Sequence, residues 1–132
     1  MSRQPHDVIV GAYQDLEVAK RDFDAVYLAI GSWRATPLRI DGEDTKGVYL
    51  GIQYLEQVTK DIEIPLGKTV LVIGGGNTAI DCARTALRKG ADKVKLVYRR
   101  TRDEMPAQAF EVEEALREGV EMIFLTSPER IS

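Results

Sequence analysis

Residues 70–79 read VLVIGGGNTA: four apolar residues, three of them β-branched, run straight into three glycines. With Thr69, the run has the composition of a strand buried in a sheet. The stretch 77–89, NTAIDCARTALRK, follows with Ile80, Ala83 and Leu87 at helical spacing, and Gly90 stands where such a helix stops. The glycines therefore occupy a strand-to-helix junction. Gly74, Gly76 and Ala79 fit the pattern G-x-G-x-x-G/A. Gly74 allows a sharp turn out of the strand, and Gly76 leaves room for a pyrophosphate against the backbone. Ala79 is small enough for the helix to pack close to the sheet. The helix N-terminus adds free N–H groups and the positive end of its dipole, and Asn77 and Thr78 can add side-chain hydrogen bonds. No Gly-Lys-Ser/Thr follows the glycines, so a P-loop is excluded.

Working outward, VKLVY (Val94–Tyr98) is a second strand, about 20 residues after the glycines as the motif requires. Pro106 marks a helix start. Ala109, Val112 and Leu116 share a face of that helix, and Gly119 ends it. EMIFL (Glu121–Leu125) is a third strand, closed by Pro128. Strand, helix, strand, helix, strand with short connections predicts a parallel sheet with right-handed crossovers. This is one mononucleotide-binding half of a doubly wound fold.

Upstream, Gly51, Tyr54, Leu55 and Val58 place an amphipathic helix over residues 48–60. Residues 32–47 carry loop chemistry. AVYLAIG (Ala25–Gly31) reads as a buried strand over residues 25–30, Asp15 as the cap of a helical turn over residues 16–22, and Val8–Val10 as a short strand. The expected fold class is α/β, a Rossmann-like three-layer sandwich with a mainly parallel sheet. It is truncated to one βαβαβ half plus a flanking N-terminal strand and helix.

An NAD site usually places Asp or Glu at the end of the second strand, to accept hydrogen bonds from the ribose. This chain has Arg99 and Arg100 there, with Arg102 close behind, in KLVYRRTR. An acid repels a 2′-phosphate, whereas paired guanidiniums grip one through bidentate, charge-assisted bonds. The inference is NADP(H) over NAD(H). The competing reading is a solvated basic loop paired with Asp103 and Glu104. The missing acid also weighs against an S-adenosylmethionine methyltransferase.

The chain has 132 residues, 44% hydrophobic and 30% charged, with net charge −3. That is the size of one domain and argues against general nucleic-acid or membrane-surface binding. Cys82 is the only cysteine, so no intrachain disulfide forms and a reducing cytoplasm is the expected setting. No apolar run approaches the roughly 20 residues of a membrane span, and MSRQPHDVIV lacks the apolar segment of a secretory signal. No catalytic triad or metal-ligand spacing occurs. Hydride transfer requires none, because the cofactor carries that chemistry. His6 stands alone, Asp81 reads as a helix-surface group and Cys82 as small-residue packing. Trp33 and Tyr98 read as core or loop packing.

VLVIGGGNTAIDCARTALRKGADKVKLVYRRTRDEMPA resembles the NADPH-binding segment of the glutamate synthase small (β) subunit. It is similar also to related FAD-dependent pyridine nucleotide oxidoreductases. The likeness extends back through FDAVYLAIGSWRATPLRIDGED and forward through EVEEALREGVEMIFLTSPERI. The resemblance implies that NADPH gives a hydride to FAD for onward electron transfer to iron–sulfur clusters and a partner subunit. It implies cofactor-binding roles for Gly74, Gly75, Gly76, Asn77, Thr78, Arg99 and Arg100, and a weaker one for Arg102. The family's FAD fingerprint and its cluster-binding cysteines are absent from these residues.

The chain is therefore expected to be an NADP(H)-binding fragment. Residues 1–47 would be the remnant of a junction with an FAD domain, and residues 48–132 a partial NADP(H)-binding domain. Its expected partners are the missing FAD domain, an iron–sulfur or large catalytic subunit, and a second copy paired through exposed strand edges. Alone it would bind nucleotide without transferring hydride. The alternative is a non-enzymatic dinucleotide-sensing or interaction domain. The final electron acceptor is not written in these residues.

Overall fold

Three parallel strands form where apolar, β-branched residues are densest: β1 (Thr69–Ile73), β2 (Lys93–Val97) and β3 (Glu121–Ile123), hydrogen-bonded in the order β1-β2-β3. They belong to a computed structural model that describes residues 17, 20, 21, 23–27 and 34–132. Among the described residues around the sheet, the α-helices are α1 (Gly51–Thr59), α2 (Asn77–Arg88) and α3 (Ala109–Glu118). The expected alternation is present, and both strand pairings are parallel.

The register aligns Val70 with Val94, Val72 with Leu96, and Leu96 with Met122. Successive side chains point to opposite faces of a strand. These residues therefore share one face and enter one core with Ile80, Ala83 and Ala86 of α2 and Val112 and Ala115 of α3. Ile80, Val94 and Leu96 are the largest fully buried side chains. Burying each contributes about 1.5–3 kcal/mol, against about 0–1 kcal/mol for an exposed ion pair. The apolar core therefore sets the fold, and the surface charges adjust it.

The opposite face carries Leu71, Ile73, Val97 and Ile123, beside a Lys95–Glu121 ion pair at 3.3 Å. Val97 is buried, but Leu71 is 54% exposed. β1 was expected to be buried throughout. The face away from α2 is only partly covered, Ile73 being half-buried and Leu71 more than half exposed.

Both crossover helices stop at glycine. Gly90 and Gly119 have φ of +98° and +101°, which glycine adopts without a side-chain penalty. The Ala91 N–H donates to Ala86 O at 3.1 Å, and the Val120 N–H to Ala115 O at 3.0 Å, closing the last turns.

Two features of α3 differ from expectation. It begins at Ala109, not at Pro106, because residues 107 and 108 are tied elsewhere, as described below. Its buried stripe is Val112 and Ala115, while Ala109 and Leu116 are exposed. The roll of the helix follows from its contact with α2. Ala115 is small enough to pack there, and Arg84 donates to Glu111 at 2.6 Å and to Glu118 at 2.7 Å. Arg88 also reaches Glu118. The Arg84 hydrogen bond, with help from Arg88, holds the Glu118 carboxyl below its ordinary pKa.

The chain divides into two compact units, Met1–Ser32 and Trp33–Ser132. In the second, residues near its two ends are joined by a parallel bridge between Asp41 and Arg130. The Ile131 N–H donates to Asp41 O at 2.8 Å. A Cβ on Gly42 would lie 2.0 Å from Ile131 O, so only glycine fits beside that tie.

In the first unit, Glu17, Lys20 and Arg21 are helical, with a Lys20–Glu17 ion pair at 2.8 Å. The buried strand expected over residues 25–30 is not formed at Ala25–Tyr27, which are exposed, Tyr27 to 92%. A strand needs a neighbour to take its N–H and C=O groups, and the described residues of this unit supply none. Residues 28–31 lie outside the described residues, as do His6, Val8–Val10, Asp15 and Trp33.

Candidate functional site

The chain leaves β1 at Gly74, whose N–H donates to Val97 O at 3.0 Å and whose φ is +143°. A Cβ on Gly74 would meet the Ala79 Cβ at 3.1 Å, so the turn and the first turn of α2 are packed as the glycine pattern requires. Gly75 is buried. A Cβ there would lie 2.5 Å from Cδ2 and Cε2 of Tyr98, whose ring rests against the turn.

Gly76 is the N-cap of α2, and the nearest atom to a Cβ at this position is Pro106 Cγ at 3.9 Å. The surface there is open. The N–H groups of Gly76, Asn77 and Thr78 have no acceptor among the described residues. Free donors at the positive end of a 12-residue helix form an anion cradle.

The second motif begins two residues beyond the end of β2. Arg99 and Arg100 are exposed, and their guanidiniums make no hydrogen bond or ion pair with the described residues. Arg102 is different: its guanidinium pairs with Glu113 of α3. Nor does Glu104 neutralise the arginines by a direct bond. Its carboxylate accepts the Thr101 N–H at 3.1 Å and the Thr101 hydroxyl at 2.9 Å. Those two bonds, and then the charge of Arg100, lower its pKa. The competing sequence reading, in which acidic neighbours occupy the arginines, therefore finds no ion pair at Arg99 or Arg100.

One hydrogen bond closes the basic loop on itself, and two more join its far end to the glycine turn. The Tyr98 hydroxyl donates to Glu104 O at 2.9 Å. The Ala107 N–H donates to Gly75 O at 3.1 Å. The Gln108 N–H donates to Asn77 Oδ1 at 2.9 Å. These ties hold residues 107 and 108 out of α3 and explain its late start. They also revise Asn77, whose side-chain oxygen is occupied by the protein while its amide donors stay free. The sequence pattern groups the glycines with the arginines by position but does not show the bonds from Ala107 and Gln108 that tie the loop to the turn. The pairing of a triple glycine with an aromatic residue at the neighbouring strand end was the available signal.

Thr78 is exposed on the first turn of α2. Its Cγ2 lies 3.4 Å from where a Cβ on Gly51 would stand, so the start of α1 adjoins this turn. Cys82 follows one helical turn later, buried, with its Sγ 3.5 Å from Gly51 O. Burial, and then the nearby Asp81, push its thiol up to about 12. Tyr54, buried alongside, has its pKa raised by burial and then by Cys82, and its hydroxyl has no partner among the described residues.

The thiolate, not the thiol, is the reactive form. At pH 8 the folded chain should react with a thiol reagent at least about a hundredfold more slowly than the unfolded chain. Stopped-flow labelling with and without urea measures the ratio, and near-equal rates would show that Cys82 is accessible.

Among the described residues no cluster of His, Cys, Asp and Glu could hold a metal ion, and no helix is long and apolar enough to cross a membrane. The arrangement leaves two sets of donors without a partner among the described residues: backbone N–H groups at the α2 N-terminus and two guanidiniums at the end of β2.

The sequence pattern of the pyridine nucleotide-disulphide oxidoreductases matches residues 4–132. The chain is 46% identical over 129 residues to the NADPH-Fe(3+) oxidoreductase subunit beta of Geobacter sulfurreducens, covering 96% of this chain and 19% of that one. It is 45% identical over 122 residues to the NADP(+)-dependent formate dehydrogenase subunit beta of Moorella thermoacetica, covering 90% and 17%. To the glutamate synthase [NADPH] small chain of Escherichia coli it is 38% identical over 130 residues, covering 90% and 28%. The chain thus spans less than a third of the length of each of these relatives. Among solved structures, the bacillithiol disulfide reductase of Bacillus cereus shares the fold. Its TM-score is 0.51 at 24% identity, over 72% of this chain and 28% of that one.

Proposed function

The chain belongs to the pyridine nucleotide-disulphide oxidoreductase family, and on that premise we propose that residues 69–123 bind NADP(H) within a flavin-dependent oxidoreductase. The observation that carries the reading is the pair Arg99 and Arg100. Their guanidiniums stand unengaged by the described residues at the end of β2, where an NAD site presents an acid, and the end of their loop is bonded to the glycine turn. The names of the three relatives, each carrying NADPH or NADP(+), support the same choice.

The residues fit the nucleotide. The open backbone at Gly76 admits a pyrophosphate, and the N–H groups of Gly76, Asn77 and Thr78 donate to it. Gly74 and Gly75 shape the turn. In this reading the Asn77 side-chain amide and the Thr78 hydroxyl donate to the same group. Arg99 and Arg100 take the 2′-phosphate through charge-assisted hydrogen bonds. Arg102 joins them only by leaving Glu113, so its share is smaller.

The bound nicotinamide supplies a hydride, and the work of this chain is to hold and orient the nucleotide. Gly74–Gly76 is the sequence's one G-x-G turn, so the FAD that receives the hydride is assigned to a neighbouring domain of the whole protein. The relatives named as beta subunits or small chains support partner subunits, and an iron–sulfur or large catalytic subunit fits that role.

Calorimetric titration of the chain with NADPH and NADH at one ionic strength tests the proposal. NADPH is expected to bind about tenfold or more tightly than NADH, since a hydrogen bond to a charged group contributes about 1.5–3 kcal/mol. Equal affinities, or binding of neither, would overturn it.

A further inference from the structure

We infer that Tyr98 is a positioning residue that sets the nucleotide preference of the site without itself holding the nucleotide. The inference rests on the NADP(H) reading above and concerns how that site keeps its shape. Tyr98 is 9% exposed and lies between the two motifs. Its ring packs on Gly75, closely enough that a Cβ there would fall 2.5 Å from ring atoms. Its N–H donates to Ile123 O at 2.8 Å, and its carbonyl accepts the Thr126 N–H at 3.2 Å, so the backbone at Tyr98 is fixed to the β3 end. From this anchored ring the hydroxyl reaches forward to Glu104 O at 2.9 Å.

That one bond spans residues 99–103, the segment that carries both unengaged arginines. Next to it, the Leu125 N–H donates to Arg100 O at 3.2 Å, and the Glu104 carboxylate grips Thr101. The Tyr98 hydroxyl therefore closes a ring of backbone around Arg99 and Arg100 and fixes it to the same side chain that buttresses the glycine turn. A dinucleotide that carries a 2′-phosphate must meet both subsites at once, at a separation set by its own covalent structure. Two subsites held at the matching separation bind with less ordering cost than two that wander. NADH uses the glycine turn and has no group for the arginines, so it is indifferent to the spacing.

Tyr98→Phe keeps the ring against Gly75 and deletes only the bond to Glu104 O. The expected result is a fall in NADPH affinity of about three- to tenfold, the range of one net hydrogen bond. NADH affinity should stay within about twofold, and the melting temperature should fall by roughly 2–10 °C, the cost of one net hydrogen bond. In an Arg99→Ala/Arg100→Ala background the same change should leave NADPH affinity where it is, because the group it positions is gone. Without nucleotide, amide hydrogen exchange over residues 99–104 should be faster in Tyr98→Phe than in the parent.

Equal losses for NADPH and NADH would show that Tyr98 only packs the turn and would overturn the inference. So would an undiminished NADPH preference, additive losses in the double-mutant cycle, or unchanged exchange at residues 99–104. A parent chain that binds the two nucleotides alike overturns the reading of the arginines. A parental preference that survives Tyr98→Phe overturns only the role given to Tyr98.

Discussion

Gly75→Ala is expected to lower the stability of the chain by about 1–3 kcal/mol, the cost of forcing extra volume into a packed core. For a unit of this size that corresponds to a fall of roughly 5–20 °C in melting temperature. The new Cβ would fall 2.5 Å from two carbons of the Tyr98 ring and 2.8 Å from a third. The ring cannot swing aside cheaply. It lies in the hydrophobic core cluster, and its hydroxyl is bonded to Glu104 O. Either the glycine turn or the basic loop must move, so NADPH affinity should fall with stability.

Gly76→Ala, one residue on, is the control. Its Cβ would meet nothing nearer than Pro106 Cγ at 3.9 Å, and alanine at an N-cap costs at most about 1 kcal/mol. It should leave the fold nearly intact and still obstruct the approach of a pyrophosphate. Urea denaturation alongside nucleotide titration separates the two variants. Equal stability losses would refute the division between a glycine needed by the protein and a glycine needed by the ligand.

Arg99→Ala/Arg100→Ala should lower NADPH affinity by about a hundredfold or more, because each guanidinium lost removes a charge-assisted interaction of about 1.5–3 kcal/mol. NADH affinity should change by no more than about threefold, the remainder being the long-range field of two exposed charges. Stability should hardly change, since neither side chain is bonded to a described residue. Arg102→Ala should cost less NADPH affinity, because its guanidinium is already paired with Glu113. The comparison is made at one salt concentration, and repeating it at higher salt should narrow the NADPH gap while leaving NADH nearly fixed. If both nucleotides weaken equally, the arginines act only as general positive charge, and the preference assigned to them is wrong.

Those two experiments bear on the residues that were easiest to read from the sequence. β1 was legible to the residue because Thr69–Ile73 is an uninterrupted strand pattern bounded by glycine. α2 was legible because Ile80 and Ala83 repeat at helical spacing and Gly90 stops it. What escaped was tertiary. Pro106 carries a helix-start signal, yet the ties from Ala107 to Gly75 and from Gln108 to Asn77 delay α3 to Ala109. Leu116 has the right spacing for the core, but the roll imposed by Arg84 on Glu111 and Glu118 turns it outward. Leu71 shows the limit of composition, because an apolar strand residue is buried only when something covers it. The glycine and arginine motifs were visible singly. The side chain of Tyr98, with its ring on Gly75 and its hydroxyl on Glu104 O, was not, because periodicity carries no record of contacts across a site.

The bridge between Asp41 and Arg130 bears on how such a unit can be carried within a longer polypeptide. Nearly the whole second unit lies between these residues in sequence, yet they are neighbours in space. Chain entering at Asp41 and chain leaving at Arg130 therefore share one doorway. A module with its entrance beside its exit can be set into a loop of a host domain without stretching that loop or breaking the host's own strand order. The sheet, the glycine turn and the arginines would travel as a sealed cassette, its wiring unchanged wherever it is plugged in.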